Sequence, residues 1–359
     1  MANISFNFSN CTHIYFKDSS CKLCVDICPI ENTVISEDYK IIFNPENCVS
    51  CGGCSNVCPT GAFNLNGYSI SDLINKKLNS NEDFISCKRD LPCLIALNPQ
   101  DLITLVLKLE KDITLDIGHC KECFIGKLKD KILEIVNEAN YFLKNLGIEN
   151  IIRAEELNIT EKKEEKNNRR DFLKRFGKLG AGLVFWATVP NIVKDEEGKE
   201  EKQKNIVEEK VLPDKRINLL NTLKEKELDL ENRYVEVDKI SFTSDKWIDF
   251  QKCTNCSVCY KVCPTGALKG IDTGLKIQFE PSLCVKCRVC HEVCPEDCLH
   301  LADKLSLKDF VYGKKILAEH IMIQCEECLI PFSYKGDTTI CPRCRELEDE
   351  IRDLLKIGD

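Results

Sequence analysis

Residues 253–264 read CTNCSVCYKVCP, and residues 284–295 read CVKCRVCHEVCP. Both spell C-x2-C-x2-C-x3-C-P, with Cys253, Cys256, Cys259, Cys263 and Pro264 in the first and Cys284, Cys287, Cys290, Cys294 and Pro295 in the second. The phrase occurs again at Cys48, Cys51, Cys54, Cys58 and Pro59, preceded by a partial copy at Cys21, Cys24, Cys28 and Pro29. This is the spacing that ligates paired [4Fe–4S] clusters. Three thiolates on a tight loop grip three corners of one cubane. The fourth, held by the proline turn, points away and ligates the other cluster.

Working outward, an internal repeat sets the plan. IIFNPENCVSCGGCSNVCPTGAF (41–63) answers to IQFEPSLCVKCRVCHEVCPEDCL (277–299), and CTNCSVCYKVCPTGAL (253–268) to DSSCKLCVDICPIENTV (18–34). Each half is predicted to be a pair of loop–helix units, with short strands at Lys40–Asn44 and Lys276–Glu280. The layout resembles the two-cluster bacterial ferredoxins, present twice, over residues 10–68 and 250–302. The resemblance implies four [4Fe–4S] clusters and a role in carrying electrons.

Crossed ligation assigns Cys253, Cys256, Cys259 and Cys294 to one C-terminal cluster, and Cys284, Cys287, Cys290 and Cys263 to the other. In the N-terminal half one cluster takes Cys28, Cys48, Cys51 and Cys54. The other takes Cys21, Cys24, Cys58 and one further ligand, because the repeat puts Asp18 where its first cysteine should stand. Either Asp18 supplies a more labile carboxylate corner, or a longer loop lets Cys11 reach back. Cys11 is preferred, since choosing Asp18 strands a second cysteine without a role. His13 is a distant third candidate and is read as a surface residue.

Cys325, Cys328, Cys341 and Cys344 form two C-x2-C knuckles twelve residues apart. Four thiolates of this kind hold structural zinc and close small ribbons that lack a core. A rubredoxin-like single iron is the alternative, but its knuckles carry a glycine after the second cysteine, where Leu329 and Arg345 stand here. Cys87, Cys93, Cys120 and Cys123 lie in SCKRDLPCLIALNPQDL and DIGHCKECFIGK. With ANYFLKNLGIENIIR these phrases resemble the small iron–sulfur subunit that links hydrogenases to heterodisulfide reductases, which implies a [2Fe–2S] cluster on an α/β unit. Two buried thiols plus a zinc half-site is the competing reading. Cys298 occupies the slot of Ala62 and Ala267 in the sister turns and is expected to pack as a small hydrophobe.

Asn98–Pro99 reads as an N-cap with proline at the first helical position, opening a helix around Leu102–Leu109. Ile113–Ile117 alternates as a strand. Leu128, Ile132, Ile135, Val136, Ala139, Phe142, Leu143 and Leu146 recur at helical spacing, with Gly147 as C-cap. The expected architecture is α+β and multidomain. A ferredoxin-like unit (1–80) is followed by a small α/β unit (81–157), a charged linker (158–235), a second ferredoxin-like unit (236–305), and a zinc ribbon with a C-terminal helix carrying Leu347, Ile351, Leu354 and Leu355 (306–359).

Within the linker, NRRDFLK (168–174) resembles a twin-arginine export signal, followed by the modest apolar run Leu179–Val189. Three readings compete for 168–190: a fusion relic, a signal anchor, or a basic amphipathic segment lying on anionic lipid or a partner. The apolar run is too short for an ordinary spanning helix. The N-terminal MANISFNFSNCTH lacks the n- and h-regions of a secretory signal, so a reducing cytoplasm, with membrane contact through 169–190, is expected.

The 359 residues carry 25 cysteines, 43% hydrophobic residues and a net charge of −8. That charge argues against nucleic acid as a main partner and suits docking to basic patches on redox enzymes. No phosphate loop, flavin or nicotinamide fingerprint or nucleophile–base pair is present, and thiolate-filled clusters leave no substrate position. The expectation is therefore an electron carrier, not an enzyme in itself. It would serve redox partner proteins such as a formate dehydrogenase, hydrogenase or heterodisulfide-reductase complex. An accessory ferredoxin for maturation of an exported molybdoenzyme is the alternative.

Overall fold

The computed structural model describes residues 3–157, 159–160 and 210–355. One small α+β arrangement occurs twice. In the first copy Ile4–Phe6 pairs antiparallel with Phe63–Leu65, and Val34–Glu37 forms a hairpin with Lys40–Phe43. In the second, Lys246–Ile248 pairs with Leu299–Leu301 and Leu268–Ile271 with Lys276–Phe279. Helical turns at Leu23–Asp26, Gly53–Val57, Val258–Lys261 and Val289–Glu292 follow the cysteine loops.

The second copy gains a third strand, Lys315–Glu319, on the open edge of Lys276–Phe279. The reading of 306–359 as ribbon and helix alone is thereby corrected. The strand KILAE buries only Ala318, too weak an alternation to be read from sequence, and an unpaired neighbouring edge recruits it. The ribbon hairpin itself is Ile321–Gln324 with Pro331–Tyr334. The C-terminal helix spans Pro342–Leu355, with Leu347, Ile351, Leu354 and Leu355 exposed.

Between the copies, Phe84–Ser86, Ile113–Asp116 and Ile152–Glu155 form a parallel sheet in sequential order. Asn98 and Asp101 make a capping box for the Pro99–Leu109 helix: the Asn98 side chain accepts from the Asp101 N–H at 3.0 Å, and the Asp101 carboxylate accepts from the Asn98 N–H at 3.5 Å. The Lys129–Leu146 helix buries Ile132, Val136, Ala139, Phe142, Leu143 and Leu146 along one stripe. Gly147 ends it in the left-handed region at φ 79°, where a side chain would also collide with the Arg233 guanidinium.

A second correction concerns the segment 158–235. Its last part is not linker, because Asp214–Glu225 is a helix packed along Pro99–Leu109 that buries Leu219, Leu220 and Leu223. Charged neighbours dilute its apolar pattern, so tertiary packing rather than periodicity makes it helical. The rest of that segment from residue 161 to 209, including 168–190, lies outside the described residues. Among the described residues no helix is long and apolar enough to cross a membrane.

The first copy, the middle unit and the segments flanking the second copy share one core, while the second copy keeps a smaller one of its own around Phe279 and Leu299. Phe142 meets Phe242 at 5.2 Å and Phe310 at 5.8 Å between ring centroids, joining the middle helix to the chain before and after the second copy. The first copy docks through Asn56, whose amide donates to the carbonyls of Ile95 and Leu97 at 2.7 and 2.9 Å. Gly52 stands so close to Ala96 that an added Cβ would meet the alanine Cβ at 2.7 Å.

The loop 87–93 is pinned by a buried ion pair. Lys77 Nζ lies 3.0 Å from Asp90 and 3.3 Å from Glu82, and Lys76 meets Asp90 at 2.7 Å. Burial works against the Asp90 carboxylate, but Lys76, the Ser86 N–H and Lys77 together hold it below the usual range. Asp90→Asn should cost about 3 kcal/mol, the low end for breaking a buried pair because Glu82 remains beside Lys77. A lowered denaturant midpoint together with a loosened, protease-sensitive 87–93 loop would register it; an unchanged midpoint would refute this anchoring role.

Candidate iron–sulfur and metal sites

The structure brings the N-terminal thiols together in two groups. Cys11, at the start of the Thr12–Tyr15 helix, is buried beside Cys58 and Cys21. Burial pushes its thiol up to about 11, the backbone N–H of His13 pulls it down, and charge on Cys58 and Cys21 adds to the rise. Cys24 is raised by burial first, then by Cys58, Cys21 and Cys11. The second group is Cys28, Cys48, Cys51 and Cys54; burial, Cys51 and Cys48 push Cys54 up to about 12, and Cys28 adds to it. Cys58 thus joins the first group and Cys28 the second, the crossed arrangement. Cys54 also acts on Cys24, so the groups adjoin.

Asp18 is exposed. His13 is buried rather than on the surface, which corrects the sequence reading: its short helix turns the ring inward, where Nε2 meets the Cys21 carbonyl at 2.9 Å and Nδ1 the Lys17 carbonyl at 3.4 Å. Donating from Nε2 to the Cys21 carbonyl, the imidazole steadies the Cys21 loop.

The C-terminal half repeats the pattern. Burial pushes Cys259 up to about 12, followed by charge on Cys290, Cys253, Cys256 and Cys294. Cys287 is raised by burial, then by Cys290, Cys263 and Cys284. Cys263 and Cys294 have crossed over, and the Cys290–Cys259 interaction places the groups side by side. Cys298 is buried with its Sγ 3.5 Å from that of Cys294.

The donor set fits iron–sulfur clusters. Backbone N–H groups point at thiols: Ser50 at Cys48 and Ala62 at Cys58, at 3.3 and 3.2 Å, with Gly53 serving Cys51, Asn255 serving Cys253 and Val289 serving Cys287. Three loops share one backbone device, positive φ before and after the second cysteine: Ser50 and Gly52, Asn255 and Ser257, Lys286 and Arg288. Such turns gather N–H groups into an anion-binding concavity. The Cys21 loop lacks the device and the leading cysteine together. Cys11 lies buried beside Cys21 and Cys58, and the buried Thr12 hydroxyl lies beside Cys11 and Cys21.

In the middle unit Cys87 follows the strand Phe84–Ser86, while Cys120 and Cys123 follow Ile113–Asp116. Both are carboxyl ends of parallel strands, where crevices open in α/β sheets. Asp116 braces these loops, accepting from Ser86 Oγ at 3.0 Å and from the N–H groups of Gly118 and Ile159 at 3.1 and 3.0 Å. Cys87, Cys93, Cys120 and Cys123 line one cavity of about 390 Å³, open to solvent at Cys123 and Phe124. Burial pushes Cys93 up to about 12, the Ile95 N–H opposes it, and the next influence is Cys51 of the first copy.

Cys325, Cys328, Cys341 and Cys344 hold their sulfurs within 4.8 Å of one another, a group able to hold a metal ion. The backbone N–H of Cys328, then that of Cys341, holds the Cys325 thiol down at about 6, and Cys341 N lies 3.3 Å from Cys325 Sγ. N–H groups so aimed favour the thiolate and make Cys325 a ready ligand.

Sequence reasoning missed the cations around these groups. Lys215 Nζ donates to the carbonyls of Ser55, Asn56 and Cys58 at 3.3, 2.7 and 2.7 Å. Arg216 donates to the carbonyls of Ser282 and Cys284, both at 2.8 Å, to Gln100 Oε1 at 2.7 Å and to the Phe242 carbonyl. Lys335 donates to the carbonyls of Phe250 and Cys253 at 2.6 and 2.8 Å. A dibasic pair opening a helix was the available signal, obscured by the charge runs before it.

Comparison with known proteins agrees with the geometry of both halves. Family models described as a 4Fe–4S dicluster domain match residues 4–62 and 245–299. An uncharacterised ferredoxin of Methanocaldococcus jannaschii is 37% identical over 62 residues, which is 92% of that ferredoxin and 17% of this chain. With two dicluster domains and a ferredoxin relative matched almost end to end, this chain belongs to the 4Fe–4S ferredoxins.

Proposed function

We propose that this ferredoxin-type electron carrier is a relay of five cysteine groups arranged as one path. The carrying observation is that groups adjoin within each half and at the middle unit, and that the halves meet beside Cys21. Cys93 of the middle group acts with Cys51, Cys54 acts with Cys24, and Cys290 acts with Cys259. Between the halves, Glu292 accepts from the Ser20 N–H at 3.3 Å and its charge reaches Cys21. The order is Cys87/93/120/123, Cys28/48/51/54, Cys11/21/24/58, Cys263/284/287/290 and Cys253/256/259/294. Each end group carries an exposed thiol, Cys123 in one and Cys256 in the other, and these are the ports for redox partners.

In this reading the four ferredoxin groups hold [4Fe–4S] clusters and the middle group a [2Fe–2S] cluster. Each bound cluster supplies a one-electron store, while the chain supplies position, hydrogen bonds and exclusion of water. The Cys325/328/341/344 group holds zinc, which closes a ribbon with little core of its own. Lys335 from that ribbon reaches the Cys253 loop, so the metal steadies the last station. The partners are oxidoreductases of the formate dehydrogenase, hydrogenase or heterodisulfide-reductase type in a reducing cytoplasm. Residues 169–190 are assigned membrane or partner contact on their sequence alone.

Anaerobically purified protein should carry about sixteen irons in cubanes, about two more in a [2Fe–2S] site, and about one zinc. Fewer than about eight irons, with zinc in most sites, would sink the relay.

Cys11→Ala should lower the iron content of the N-terminal half, whereas Asp18→Ala should leave it intact. The reverse result would hand the corner to Asp18, and equal tolerance of both would remove each from the ligand set.

A further inference from the structure

The central part of the path is ringed by buried cations, and the first turn of the Asp214–Glu225 helix supplies two of them. Lys215 reaches the Cys58 loop and Arg216 the Cys284 loop, so consecutive residues touch consecutive stations in different halves. Lys215 uses three N–H donors on three carbonyls, which requires the protonated ammonium. Arg216 is fully buried and charged at any ordinary pH. A third cation, Lys246, is 3% exposed, donates to His291 Nε2 at 2.9 Å, and acts on Cys284, Cys290, Cys287 and Cys263.

The cations are unevenly spread. The Cys263/284/287/290 group faces Arg216 and Lys246, both buried. The Cys11/21/24/58 group faces Lys215, with the Glu292 carboxylate working against it at Cys21. The outer Cys253/256/259/294 group has the half-buried Lys335. Lys215 reaches the Cys28/48/51/54 group less closely, through the Ser55 carbonyl beside Cys54 at 3.3 Å. Cluster potentials follow net charge, hydrogen bonding and exposure, and reduction adds one negative charge to a cluster already negative. A fixed cation in a low-dielectric interior stabilises that charge far more than one in water.

We propose that Lys215, Arg216 and Lys246 make the two central stations the high-potential pair, with Cys263/284/287/290 uppermost, so that an electron entering at either port comes to rest at the junction. The transfer is balanced within the chain. One electron leaves the reduced cluster of an outer station and reduces the oxidised central cluster, with no proton taken up, because the compensating cations are already in place. This inference rests on the relay reading above and gives it an electrostatic floor.

The test is an EPR-monitored redox titration of the full-length, iron-loaded protein with dithionite as reductant. In the wild type, two of four cubane midpoints should stand above the other two. Arg216→Gln should lower one midpoint so that its reduced fraction at fixed potential falls about tenfold, or ~59 mV for a one-electron couple. Lys215→Met should lower a different midpoint, while Lys215→Arg leaves it in place. Asp101 faces Lys215 from the neighbouring helix, so Asp101→Asn should move the Lys215-sensitive midpoint upward, a sign that loss of packing would not give. Four coincident wild-type midpoints overturn the proposal, as do variants that retain iron but shift all four together or none. If Lys215→Met or Arg216→Gln sheds its iron, the wild-type spacing and the sign of the Asp101→Asn shift decide. A wild-type protein that will not hold about sixteen irons overturns the relay reading itself.

Discussion

A cysteine loop built for a cluster is a poor packing element. It presents N–H groups inward and leaves carbonyls facing out, and each carbonyl buried against a neighbour needs a donor. In this protein long cationic side chains meet that need. Lys215 serves the Cys58 loop, Arg216 the Cys284 loop, Lys335 the Cys253 loop, and Asn56 supplies the neutral version where the first copy meets Ile95 and Leu97. The association of the halves depends on this exchange of donors. An apolar interface would have left the same carbonyls unpaired, at about 1–3 kcal/mol each.

The Asp214–Glu225 helix is where these demands meet. Its apolar side packs on Pro99–Leu109, and its first turn spends Lys215 and Arg216 on two different cysteine loops. The middle unit is therefore a bracket. Its helices fix the distance between the copies, and its sheet presents a further cysteine group beside Cys51. Gly52 belongs to the same logic: only a residue without Cβ allows the Cys51 loop to lie against Ala96 and so bring Cys93 near.

Most of this was legible where covalent spacing controls geometry. The C-x2-C-x2-C-x3-C-P phrases define loop lengths, and the crossed grouping follows from them, since the cysteine before proline leaves the loop in the opposite direction. Asn98–Pro99 and Gly147 announced helix ends because caps satisfy local hydrogen bonds. What could not be read depends on partners distant in sequence. The Lys315–Glu319 strand exists because an edge was open, the 214–225 helix because a groove was waiting, and His13 is buried because two carbonyls sit 4 and 8 residues ahead of it. Composition alone made 214–225 look like the charged run before it.

The two copies also show how a repeat diverges under one constraint. Three loops keep the paired positive φ that gathers N–H groups around an anion; the Cys21 loop abandons it, and Cys11 stands buried beside it. Just before that loop's first cysteine, the Ser20 N–H donates to Glu292 of the other copy. The irregular loop is thus one of the places where the halves touch. In the copy with all its cysteines in register, Cys253 to Cys294, it is Cys256 that reaches the surface.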